Sequence, residues 1–270
     1  WLADLVPARV RGRYFGVRSM AIAISTVAIT LIASVILDSF SDAGHRSLGF
    51  AVLLALAAMA AALALAYLAR IPDTWTMPPT RSFSLSAIAA PFSHSHFRRL
   101  LTAGAAWHMA IGISAAFFAP HMLNQLHMNF LAIGLYTSAF SLAAVWTTNT
   151  WGKTIDRFGA RQTAVVSAAG ISIIPLIWLF PTPATSWVLY AEAIYSGVLW
   201  AGFNLAVFTL PISCSDKSQR CIYLAIYAVI TGLTYFGASV LGGYLAQRIG
   251  NWEVAIAGLT MDRYQVLFAI

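Results

Sequence analysis

Charge is the scarcest feature of this 270-residue chain: Asp, Glu, Lys and Arg together make up 9% of it. Soluble domains carry about 25% charged residues, enough to cover a water-facing surface. With 60% hydrophobic residues and a mean hydropathy of +0.76, the chain has too few polar side chains for that, so lipid is the expected solvent. Cysteine is almost missing as well. Cys214 and Cys221 are the two present, which excludes a disulfide framework; they flank a loop assigned below to the cytoplasm, where thiols stay reduced. No basic stretch is interleaved with aromatics, so the net charge of +7 is not read as a nucleic-acid footprint. There is no Walker-type phosphate loop, no nucleophile set beside a base and no pair of carboxylates within an apolar run. ATP-driven transport through these residues and the common hydrolytic mechanisms are set aside, and no cofactor is expected. No charged segment precedes a short apolar run at the N-terminus, so a signal peptide is not expected there. The chain opens with "WLADL" and stops in the apolar "VLFAI", and it is read as a fragment of a longer protein.

What the chain has is long apolar runs. A bilayer core of about 30 Å needs roughly 20 apolar residues as a helix. Seven runs qualify: Ser19–Leu37, Leu48–Ala69, Leu100–Pro120, Phe130–Trp151, Thr163–Phe180, Trp187–Leu210 and Cys221–Ala246. Tyr264–Ile270 would begin an eighth. Helices are expected because lipid offers no partners to backbone N–H and C=O groups. A transmembrane barrel would need segments of alternating polarity, and "LGFAVLLALAAMAAALALAYLA" has none. The expected fold is an all-α polytopic membrane protein of two helical bundles, with seven full transmembrane helices and a stub.

The connecting loops alternate between the two faces of the membrane. Residues 1–18, 70–99, 152–162 and 211–220 fall on one face and hold every Lys and Arg except Arg46, Arg248 and Arg263. Basic loops remain in the cytoplasm, so that face is read as cytoplasmic and the chain as a multi-pass protein of the cell (inner, plasma) membrane. The longest connector, 70–99, carries Pro72, Pro78, Pro79 and Pro91 and reads as a linker. It divides residues 1–69, the end of one bundle, from residues 100–270, a second bundle whose last helix is cut. Within it, "SLSAIAAPF" before "HFRRLL" is expected to form a short interfacial helix with an arginine anchor. The stretches beginning at Arg13 and Arg220 share a layout of Arg, then a small-residue-rich helix, which fits an internal repeat.

The charges that remain are concentrated in "WGKTIDRFGARQ", residues 151–162. Gly152 is expected to end one span and Gly159 to permit a tight turn. Asp156 and Arg157 would then sit at the cytoplasmic mouth and Arg161 would cap the next helix. A carboxylate there can accept hydrogen bonds from a helix N-terminus or pair with arginines of the other bundle, contacts that break and reform in a gate.

Gly152, Asp156, Arg157, Gly159 and Arg161 resemble the G-x-x-x-D-R-x-G-R-R loop signature of the major facilitator superfamily, with Ala160 replacing one basic residue. "DLVPARVRG" resembles the same family's E-x-x-P-x-x-x-R-G motif through Asp4, Pro7, Arg11 and Gly12, with Asp for the usual Glu. The resemblance places "DLVPARVRG" after the fourth helix and the Gly152–Arg161 signature after the eighth, in agreement with the spans counted between them. It implies a secondary transporter working by alternating access, in which Asp4, Arg11, Asp156, Arg157 and Arg161 belong to a cytoplasmic gate. It implies a small-molecule substrate, coupling to a proton, and a monomer in the bilayer. Loop charges that merely anchor helices remain the competing reading. So do a non-transporting sensor with a transporter's fold and a membrane-embedded enzyme whose catalytic pair lies outside this chain.

Within the spans, Glu192 is the clear intramembrane charge, five residues in from Trp187. Such groups usually face a cavity, and Tyr195, Ser196 and Trp200 are expected on the same face, with Asn204 deeper and off it. Proton coupling or a cationic or polyhydroxyl substrate competes here with local pairing near the interface. Trp107 shares a helical face with Ser114 and Phe118, while His108 points about 100° away; His108 is either a titrating group or a packing residue. Ser19, Thr26, Thr30 and Ser34 are read as packing hydroxyls. Tyr223, Tyr227, Thr231 and Thr234 are read as part packing, part path. Pro175 is expected to kink its span, and Gly232, Gly237, Gly242 and Gly243 to allow close approach or bending. His94 and His96 are read as interfacial residues, not metal ligands.

Overall fold

The computed structural model describes residues 11–70, 85–214 and 220–249, and near the C-terminus 254–256, 259–261 and 263–269. Eleven helices follow in order among these residues: α1 Arg11–Asp42, α2 Arg46–Leu68, α3 Leu85–Ser93, α4 Ser95–Ala115, α5 Phe118–Asn124, α6 Phe130–Phe158, α7 Ala160–Ile171, α8 Ile174–Ile177, α9 Val188–Ser213, α10 Arg220–Ile249 and α11 Arg263–Ala269. A two-stranded antiparallel hairpin, β1 Val254–Ile256 with β2 Leu259–Met261, precedes α11 and pairs Ala255 with Thr260. The sequence reading did not include it.

Seven helical stretches are long and apolar enough to cross a membrane, one for each expected span. Most of the residues in these stretches are not buried by the protein itself, as expected for helices whose outer faces meet lipid. Their ends differ from the expected ones in instructive ways. Pro120 does not end the third span. The chain turns at Ala116 and Phe117, and Pro120 falls in the first turn of α5, where no intrahelical N–H is required. The fifth span breaks at Ser172 and Ile173, and Pro175 opens the one-turn α8, because its ring supplies no N–H and fixes φ. The glycines of α10 leave it continuous from Arg220 to Ile249.

By contact density the chain falls into two units, residues 1–82 with 129–142 and residues 83–128 with 143–270. The start of α6 groups with α1 and α2, whereas the division drawn from sequence assigns it to the later bundle.

In the first unit, α1 closes with a Schellman turn. Gly44 takes φ +74°, its N–H donates to the Ser41 carbonyl at 3.0 Å and the His45 N–H to the Phe40 carbonyl at 2.8 Å. This geometry satisfies the last carbonyls of the helix and needs a residue without Cβ. α2 then returns along α1, with Gly49 buried against Phe40.

In the second unit, α4 packs lengthwise on α10. The driving force is close packing, since lipid tails are as apolar as leucine. A Cβ on Gly104 would lie 2.7 Å from the Tyr227 hydroxyl, and one on Gly112 would lie 2.9 Å from the Tyr235 carbonyl oxygen. Gly242 presses on the backbone of Ile113, and the Ser239 hydroxyl donates to the Gly112 carbonyl at 3.1 Å. Phe97, Leu101, Tyr223 and Tyr227 form a buried cluster at one end of the pair. α7 packs on α9 in the same unit: Gly170 abuts Leu199, and the Tyr195 hydroxyl donates to the Gly170 carbonyl at 3.0 Å. The Trp151 indole on α6 donates to the Val198 carbonyl of α9 at 2.7 Å.

Candidate functional site

The signature stretch is more helical than its glycines suggest. α6 runs through Gly152 to Phe158, so Gly152 does not end the span. Gly152 has open space where a Cβ would be. The break is Gly159 alone, with φ +88°; its N–H closes α6 on Ile155 at 2.8 Å and its carbonyl accepts from Thr163 in α7. Arg161 does not cap α7 either. The N-cap is Gly159, which makes no side-chain cap bond, and a guanidinium has no lone pair to offer the free N–H groups.

The resulting charge placement is unfavourable for the helices themselves. Asp156 lies in the last turn of α6, where the dipole disfavours an anion, and Arg161 lies in the first turn of α7, where it disfavours a cation. Only Arg157, in the last turn of α6, suits its position. All three are exposed, and the Arg157 guanidinium sits 5.1 Å from the centre of the Phe158 ring. Two charges held against their own helix dipoles are not explained by helix stability. Asp4 and Pro7 lie outside the described residues, and Arg11 and Gly12 are described as backbone in the first turn of α1. The two motifs are therefore not brought together here residue by residue.

Inside the spans, the expected face of α9 divides. Glu192 and Ser196 are buried, at 3% and 4% exposure. Tyr195 is turned away from them: it is exposed and tied to α7 through Gly170. Asn204 is exposed. Trp200 is half-buried and joins Trp107 of α4, the two ring centres 6.3 Å apart. Phe203 completes the group, 4.6 Å from Trp107 and nearly perpendicular to Trp200. The Trp107 indole nitrogen is buried and has no hydrogen-bond partner among the described residues, a donor left over inside an aromatic cluster. Trp107 and Phe118 do not share one continuous helical face, because the turn at Ala116 and Phe117 separates them. Phe118 stacks on Phe268 at 4.5 Å.

The remaining candidates are drawn into packing. The His108 Nδ1 lies 2.8 Å from the Gly104 carbonyl, one turn back on its own helix. Tyr227 is buried against Gly104, and the buried Thr231 hydroxyl donates to the Tyr227 carbonyl at 2.7 Å. Tyr227 thus serves the α4–α10 contact, and the Thr231 hydroxyl is used within α10. Gly242 is the one α10 glycine of those expected that makes a close approach; Gly232, Gly237 and Gly243 have open space around them. The ring of His94 lies 6.1 Å from that of Tyr223.

Two features escaped the sequence reading. His121, at 1% exposure, is enclosed by the rings of Trp178, Tyr264 and Phe268, and Tyr264 accepts from Asn124 at 3.2 Å. Asp38 at the end of α1 accepts from the backbone N–H groups of Phe130 and Leu131, both at 2.7 Å. An Asp closing an apolar run was the available signal for the second. The aromatic enclosure needed three separate elements in register and left none.

A family model described as the Major Facilitator Superfamily matches residues 100–261, more than half the chain. The chain belongs to the major facilitator superfamily. No curated protein matches it. Among solved structures, this superfamily member is similar to a bacterial homolog to the human lysosomal transporter Spinster, determined in an inward-facing, unoccupied conformation. The TM-score is 0.57 at 14% identity, covering 92% of this chain and 59% of that one. This chain therefore spans 59% of the length of the Spinster homolog, and the likeness is one of fold.

Proposed function

We propose that this chain is part of a secondary active transporter that moves a small solute across the cell (inner) membrane by alternating access, coupled to protons. The observation that carries the reading is the superfamily match over residues 100–261 on a chain with seven membrane-length helices. In this reading residues 1–69 and 100–270 belong to two bundles that move relative to each other, and 70–99 links them. The loops at 1–18, 70–99, 152–162 and 211–220 face the cytoplasm, as their Lys and Arg content favours. The protein acts as a monomer in the bilayer.

The gate and the coupling group have separate support. Asp156 and Arg161 oppose their own helix dipoles, which makes them available to partners elsewhere. Asp4 and Arg11 are assigned to the same gate through their motif. Glu192 is the coupling candidate because burial at 3% exposure in a membrane helix makes its ionised form costly and ties charge to the state of the path. Trp200, eight residues further along α9, lies about 12 Å from it along the helix axis. The Trp107–Trp200–Phe203 cluster is apolar apart from its two indole N–H groups, which favours an amphipathic solute over a sugar-like one.

The test is reconstitution of the full-length protein into proteoliposomes, with counterflow and pH-gradient-driven uptake of candidate solutes. Counterflow that requires the protein supports a carrier. Binding without counterflow would instead identify a sensor with this fold.

A further inference from the structure

We propose that Asp38 is a latch fastening the end of α1 to the start of α6, and that its release lets the two helices part at that end of the molecule. The proposal rests on the reading above in which residues 1–69 and 100–270 belong to different bundles. Asp38 Oδ1 accepts from the Phe130 N–H and Oδ2 from the Leu131 N–H, each at 2.7 Å and across more than ninety residues of sequence. Both carboxylate oxygens are thus used on the first two free donors of α6, at the end of the helix whose dipole attracts an anion.

Three observations distinguish a latch from an ordinary helix cap. First, α6 has a cap of its own: the Asn129 side-chain oxygen accepts from the Ala132 N–H at 2.8 Å. The helix therefore keeps this one capping bond when Asp38 leaves. Second, the fit continues one turn further along both helices, where Ser34 of α1 lies directly against Gly134 of α6. The Ser34 hydroxyl donates to the Thr30 carbonyl of its own helix at 2.8 Å, so its proton is not spent on α6. Third, Asp38 is half-buried and lies four residues from the exposed Asp42 and the α1–α2 turn. On release, the carboxylate and the two N–H groups have water within reach, so opening does not strand a charge in lipid. Phe130 is further held by Arg46, whose guanidinium lies 4.9 Å from its ring centre, and by an edge contact with Phe50. These are contacts of the same end that part together with the carboxylate.

The test uses the full-length protein in nanodiscs, with Cys214 and Cys221 replaced by Ser and a reporter cysteine placed by Ser34→Cys. Both membrane faces are open to reagent, so the rate of maleimide labelling reports helix separation without reference to sidedness or substrate. Asp38→Asn is expected to accelerate labelling at least about fivefold, from loss of a charge-assisted contact, while Asp38→Glu stays near the parent rate. A second reporter, Ser167→Cys, at 0% exposure in α7, is expected to label at the same slow rate in every variant. If the Asn variant is not recovered in the membrane, Asp38→Ala removes both acceptors and is read in the same way. Unchanged labelling at position 34, or equal acceleration at positions 34 and 167, overturns the latch. A protein that opens in this way but shows no counterflow leaves the latch standing and removes only the transport reading.

Discussion

At the scale of single residues, this membrane chain keeps its few carboxylates in three different settings. Asp38 receives two backbone donors, Glu192 is buried within α9, and Asp156 is exposed at the end of α6. The setting determines what removal of the charge should do. Asp156→Asn relieves an unfavourable interaction with the α6 dipole, so the variant should insert normally and melt at the same temperature or slightly above it. Its transport rate in proteoliposomes should fall by about tenfold, the equivalent of one lost helix-end contact. An unchanged rate would remove Asp156 from the gate. Glu192→Gln should keep counterflow but lose accumulation driven by a pH gradient, because exchange needs the solute site alone and accumulation needs the proton. Retained gradient-driven accumulation would clear Glu192 of the coupling role. Glu192 was legible in the sequence because charge within an apolar run stands out. Tyr195, three residues on, was misplaced because a helical wheel cannot reveal that α7 passes close enough to bind its hydroxyl at Gly170.

At the scale of elements, all seven long helices were readable from hydropathy, since a run that crosses lipid must be apolar for about 20 residues. Their ends were less so. Gly152 looks like a terminator, yet α6 passes through it, because one glycine costs only about 1 kcal/mol in a helix and Gly159, with its positive φ, makes the turn instead. Pro175 was a sound signal, and it stands at the start of α8. The β1–β2 hairpin was not read, since strands of three residues carry too little pattern to register. The roles of small and hydroxyl residues were also hidden. Tyr227 and Thr231 look like a polar stripe, and only the pairing of α10 with α4 shows that Tyr227 fills the space beside Gly104, while the Thr231 hydroxyl bonds within its own helix. This pairing is testable. Gly112→Leu would drive its side chain into the Tyr235 backbone and Ala238, an overpacking cost of about 1–3 kcal/mol. The variant should show a lowered melting temperature in detergent, whereas Gly243→Leu, with open space around it, should melt like the parent.

At the scale of the whole molecule, seven helices are long and apolar enough to cross a membrane, and the proposed topology gathers the basic residues on one face. In that proposal the Gly159 turn and the Asp156–Arg161 charges lie on the cytoplasmic side, where a gate would use them. The same proposed topology assigns the α1–α2 turn to the outer side. A single miscounted helix would scatter the arginines over both faces, so the charge pattern and the span count support each other. The most direct measurement is labelling of intact cells with a membrane-impermeant maleimide, in a background with Cys214 and Cys221 replaced by Ser. Arg46→Cys should be modified from outside, and Arg157→Cys should react only after the membrane is permeabilised. Ready modification at position 157 with protection at position 46 would contradict the topology and the cytoplasmic gate together.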